Sequence, residues 1–136
     1  MADETNFDAS PELQEFILLS VGMGLDNLQK EHSLVPMLLS VENDQYSIGA
    51  LAVDADQVMA AAAKHVASLP TATSRYALVF TGRIGVGDDL SHAVIAQAGE
   101  RNALHGHIVF QTYDPNTFVA ASEPQYAGHA DQWFGR

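Results

Sequence analysis

The chain of 136 residues contains no cysteine, which removes a disulfide framework, a thiolate metal cluster and a cysteine nucleophile together. A reducing cytoplasm is the compartment such a sequence fits. Cations are scarce as well: six Lys and Arg stand against seventeen Asp and Glu, a formal net charge of −11. A surface of that sign repels phosphate backbones and anionic lipid, so nucleic acid is not an expected partner and basic proteins are. Lys is confined to Lys30 and Lys64, and no Gly-x-Ser-x-Gly elbow or His-Glu-x-x-His pair occurs, so the Schiff-base, serine-hydrolase and zincin signatures are missing. Long apolar runs are missing too, since 16–19 and 35–39 fall far short of the roughly twenty residues a bilayer crossing requires. No membrane span is expected. Residues 1–9 carry Asp3, Glu4 and Asp8 with no base, the reverse of a secretory signal, and read as an acidic N-terminal extension.

What remains is an ordinary globular composition. Hydrophobic residues make up 47% of the chain and charged residues only 17%, so a disordered acidic chain is excluded and one domain is expected over 10–136. Ser10, Pro11 and Glu12 form a helix start, with a capping hydroxyl, a residue suited to the first turn and a carboxylate that complements the dipole. The apolar spacing predicts a helix over 11–30 with two apolar lines, one through Leu13, Phe16, Ile17 and Leu28 and another through Leu18, Val21 and Leu25. Gly22 and Gly24 inside it imply either a kink or close backbone packing.

Two β-type runs over 34–41 and 46–53 flank the turn-rich residues 42–45 and read as a hairpin, whose first strand Pro36 confines to an edge-like side. Asp54 or Asp56 caps a second helix, with Val58, Ala62, Val66 and Leu69 as its buried line and Pro70 as its stop. Strands are expected over 75–84, 93–98 and 107–113, the middle one in competition with a helix starting at Asp89, and one more over 118–121 before a loose C-terminal end. The fold class is therefore α+β in the order α-β-β-α-β-β-β(-β), an antiparallel sheet with both helices packed on one face. Neither sheet face reads as polar, because Val35, Met37 and Leu39 oppose Leu34 and Leu38.

Two candidate sites stand out. His105 and His107 are two residues apart, so on a strand both imidazoles project from one face, and His92 on the preceding strand supplies a third ligand for an open metal site. The segment 99–107 is similar to the opening of the first metal motif of the cupin family. Gln111 or Thr112 stands where that motif places its Glu ligand, Phe118 where it closes on Gly, and no second motif follows, so a cupin fold is not expected. The other candidate is a ligand-binding group of Glu100, Arg101 and Arg83, the rare cations of an anionic molecule set beside a carboxylate, which either hold the structure through ion pairs or accept a ligand carboxylate. Gly82, Gly85 and Gly87 lack the spacing of a phosphate loop and sit next to Asp88 and Asp89, so they read as a hairpin connection.

With no cofactor implied and no catalytic signature, the expected function is a non-enzymatic binding, adaptor or regulatory module that forms a homodimer or holds a protein partner through its surplus apolar surface. The alternative is a small ligand- or metal-binding enzyme centred on His92, His105 and His107.

Overall fold

In the computed structural model the described residues are 8–86 and 88–134, with Val86 described by its backbone alone. The elements run α1 (Pro11–Glu31), β1 (Met37–Glu42), β2 (Gln45–Ala50), a 3₁₀ turn (Ala55–Gln57), α2 (Val58–Ala67), β3 (Thr73–Val86), β4 (Asp89–Glu100), β5 (Gly106–Thr112) and β6 (Gln125–Ala130). All six strands join one antiparallel sheet in the order β2-β1-β3-β4-β5-β6. The chain is thus an α+β protein in the expected order. No described helix is long and apolar enough to cross a membrane.

Local chemistry accounts for the element ends. The Ser10 hydroxyl accepts the Leu13 N–H at 3.1 Å, and His32 closes α1 in the left-handed region at φ 60 while its N–H donates to the Leu28 carbonyl. The β1–β2 connection is tighter than the four residues expected: Glu42 pairs with Gln45, and Asn43 and Asp44 take φ 51 and 65, the primed two-residue turn that those side chains tolerate. Asp89–Glu100 is strand, because the whole of it pairs with β3 in one continuous hairpin.

The two helices lie on opposite faces, which corrects the placement of both on one. Met37, Leu39 and Val41 of β1, Ala77 and Val79 of β3, and Val94, Ala96 and Ala98 of β4 form one core with α1. Leu38, Tyr76 and Leu78, which alternate with them, form a second core with Val58, Ala62 and Val66 of α2. The two-sided hydrophobicity of β1 is therefore consumed within the chain. Of the second apolar line of α1, Val21 and Leu25 are buried, and Leu18 alone remains 48% exposed.

Two further corrections concern the last third of the chain. Residues 118–121 are not a strand, since Phe118 adopts φ 62 and Tyr113 with Ala120 makes only an isolated bridge; the sixth strand is β6. Nor is the described part of the C-terminal end loose. Trp133 and Phe134 pack on Tyr76 at ring separations of 5.4 and 5.1 Å, and the Trp133 N–H donates to the Tyr76 hydroxyl. Tyr76 in turn lies across its pair residue Gly99, where an added Cβ would approach its ring and hydroxyl to 2.6–2.8 Å.

Gly22 and Gly24 lie in an unbroken helix and differ in their surroundings. An added Cβ at Gly22 meets nothing within 4 Å, whereas at Gly24 it would lie 2.8 and 2.9 Å from Cγ1 of the fully buried Val79 and Val94. Gly22→Ala is expected to stabilise by about 0.5–1 kcal/mol through helix propensity. Gly24→Ala is expected to destabilise by about 1–2 kcal/mol, because overpacking against two stiff valines outweighs the same gain. Thermal melting of both variants checks this, and a Gly24→Ala protein at least as stable as wild type would contradict close packing of α1 on the sheet.

Tyr76 yields a prediction about pH. Burial pushes its phenol from 10.0 up to about 12, so between those values the folded state holds a proton that the unfolded chain releases. This contribution to stability is full below pH 10 and is lost as the pH rises through about 12, on the order of 2–3 kcal/mol in all. Chemical denaturation across that interval should show a steeper alkaline loss for wild type than for Tyr76→Phe, and superimposable profiles would contradict it.

Candidate functional site

Under the N-terminal end of α1, the β5–β6 pair and the residues leading into the helix bring a histidine–carboxylate cluster together. His107 on β5 and His129 on β6 are direct cross-strand partners, which places both rings on the α1 side of the sheet. A bulge in β6 shapes what surrounds them. Ile108 pairs with Gly128 but Val109 pairs with Tyr126, so Ala127 is extra and Gly128 takes φ 131. That one-residue offset turns Tyr126 to the same face as His129, and its hydroxyl lies 3.0 Å from His107 Nδ1.

Asp8 completes the group from the opposite end of the sequence. Its carboxylate oxygens lie 3.0 and 3.2 Å from His129 Nε2, and Oδ1 lies 3.7 Å from His107 Nδ1. The position of Asp8 follows from α1, because Ala9 is buried and the Ser10 hydroxyl, besides capping the helix, donates to Glu100 Oε2 at 2.8 Å. The ring of His105 stacks on that of His129 at 4.4 Å. The cluster is thus a buried imidazole, His107, walled on its solvent side by exposed polar partners.

The electrostatics follow from that arrangement. Burial lowers the pKa of His107 below 6.5, with Asp8 and Glu100 opposing and the neighbouring histidines reinforcing, so its ring is neutral at physiological pH. The hydrogen bond from His129 holds the Asp8 carboxyl below the usual carboxylate range. Neutral imidazole nitrogen and ionised carboxylate oxygen are the forms that act as metal ligands. Among the described residues, Asp8, His107 and His129 each offer one potential ligand atom, all within 4.8 Å of one another.

The structure brings together part of each sequence-derived set. His105 and His107 meet at the cluster. His92 does not: it shares their sheet face but pairs with Arg83, six residues along β4 from the Ala98 that pairs with His107, roughly 20 Å away. Its ring lies beside Tyr113. Glu100 sits at the rim of the cluster. Arg101 points elsewhere, its Nε donating to the Thr73 carbonyl at 2.8 Å and Nη2 to the Pro70 carbonyl at 3.0 Å, with the guanidinium 4.0 Å from the Phe134 ring. It borders a cleft of about 580 Å³ with Thr71, Asn102 and Gln132, and Arg83 is exposed on β3, so the three residues form no common ligand site. Asp8 and His129 carried no local signal, since 121 positions separate them and only the fold unites them.

A second feature lies at the far edge of the sheet. All six residues of β2 are exposed, and Gln45–Ala50 contains neither charge nor proline. The Leu51 N–H donates to the Pro36 carbonyl, so the strand's alternation directs the backbone groups of Tyr46, Ile48 and Ala50 away from β1. Phe16 of α1 stacks on Tyr46 at 6.0 Å, and Leu19, Tyr46 and Ile48 are 45%, 58% and 53% exposed. No family model, curated protein or solved structure matches the chain.

Proposed function

We propose that this protein is a non-enzymatic binding module that works as a homodimer, joined by antiparallel pairing of β2 with the β2 of a second copy. The observation that carries this reading is the unguarded edge. Proteins normally protect an edge strand with Lys, Pro, a bulge or a covering loop, and β2 has an exposed, uncharged, regularly paired backbone instead. An antiparallel self-pair is two-fold symmetric by construction, so it closes at two copies. A register centred on Ile48 sets Ile48 against its own equivalent and the large Tyr46 against the small Ala50. Two molecules of net charge −11 repel over most of their surfaces, and a neutral strand is where their approach is least opposed.

The acidic remainder of the surface then favours basic protein partners over nucleic acid, and the cysteine-free composition supports a cytoplasmic setting. The enzyme alternative loses support from His92, which stands well apart from His105 and His107.

Light scattering after size exclusion is expected to give twice the chain mass of 14.6 kDa for wild type and a single chain mass for Ile48→Lys. Ile48 is half exposed, so that variant should keep wild-type stability to within about 0.5 kcal/mol. Leu104→Lys, at a position 75% exposed outside the strands, should remain dimeric. A wild-type monomer at high concentration, or an Ile48→Lys dimer, would refute the reading.

A further inference from the structure

We infer that Asp8, His107 and His129 form a binding site for a transition-metal dication of the zinc or cobalt type, which clasps the lead-in of α1 to the edge strand β6. The site is separate from the β2 edge and does not depend on dimerisation. Geometry carries it. Zinc bonds of about 2.0–2.2 Å at a tetrahedral angle set ligand atoms roughly 3.3–3.6 Å apart. The Asp8 oxygen lies 3.0 Å from one imidazole nitrogen and 3.7 Å from the other, on either side of that spacing, and all three donors fall within 4.8 Å. Coordination exchanges the Tyr126 hydroxyl at His107 Nδ1, and the proton that His129 Nε2 shares with Asp8, for bonds to the ion.

The frame that holds the donors is stiff on one side and adjustable on the other. His107 and His129 are locked as cross-strand partners in the sheet, and His107 is only 4% exposed. Asp8 is exposed, two residues ahead of the Ser10 cap, so its side chain can turn toward the ion. The β6 bulge belongs to the same device, since it is what sets Tyr126 beside the two histidines. Two imidazoles and one carboxylate are ligands of borderline metals, whereas magnesium and calcium require all-oxygen shells. Three protein ligands leave a coordination position for water, with the His105 ring stacked at its margin.

The test uses the full chain, freed of metal with a chelator and titrated with Zn²⁺ or Co²⁺ alone. One ion per chain is expected, with the ligand-field absorption of a nitrogen–oxygen site for Co²⁺ and paramagnetic broadening of the His105, His107 and His129 ring signals but not those of His65 or His92. Asp8→Asn and His129→Ala alter exposed side chains, so both should fold as wild type and bind at least about tenfold more weakly. His65→Ala, on α2, should bind as wild type, and Mg²⁺ should not compete. Absence of stoichiometric binding, or affinity unchanged in both Asp8→Asn and His129→Ala, would overturn the assignment.

Discussion

A six-stranded open sheet has two apolar faces and two hydrogen-bonding edges to satisfy, and how this chain meets that demand decides the rest of its structure. Unsatisfied edges invite other strands, and uncovered faces leave apolar surface in water. One face is closed by α1, drawn in closely at Gly24. The other is closed by α2 together with Trp133 and Phe134, which gather on Tyr76. At the β6 edge, a bulge with Gly128 at φ 131 interrupts the regular strand. The β2 edge has no such interruption, and it is there that the molecule has pairing capacity left over.

That accounting explains which parts of the fold were legible in the sequence. The bounds of α1 follow from Ser10, Pro11 and the apolar period, and the β1–β2 hairpin follows from Asn43 and Asp44, because those signals act within a few residues. The two-sided hydrophobicity of β1 was equally visible, but sequence alone does not say which face a helix will cover, and here α1 takes one face and α2 the other. A ten-residue helix with an alanine-rich face fits either side, and the clustering of Val58, Ala62 and Val66 with Leu38, Tyr76 and Leu78 is a tertiary outcome. Strand β6, of sequence Gln-Tyr-Ala-Gly-His-Ala, carries no β-branched residue, so its strand state is imposed by pairing with β5. Phe118 and Val119 have the opposite character, with β-type composition in a segment that Phe118 turns through a left-handed residue.

The histidine cluster shows the same division. The two-residue spacing of His105 and His107 was readable, because alternation on a strand is local. His92 has the right chemistry and the right face, yet strand length places it well away. Asp8 and His129 come from opposite ends of the chain and meet only because the capped start of α1 overlies the bulged end of β6. The rare arginines could hold the structure or accept a ligand carboxylate, and Arg101 ties the β4–β5 connection to the Pro70 and Thr73 carbonyls at the start of β3 and to the buried Phe134. Its role is structural and supports the face that Tyr76 anchors.

The most direct measurement of the account is amide hydrogen exchange, resolved by residue, at low and high protein concentration. Residues 76–79 of β3, which contribute to the cores on both faces, should be the most protected at either concentration. Tyr46, Ile48 and Ala50 should exchange fast when dilute and slow sharply when concentrated, whereas Ser47 and Gly49, which bond to β1, should change little. Rapid exchange at Tyr46, Ile48 and Ala50 at every concentration would show that the β2 edge stays open to water and would contradict the claim that the sheet is completed by a second copy.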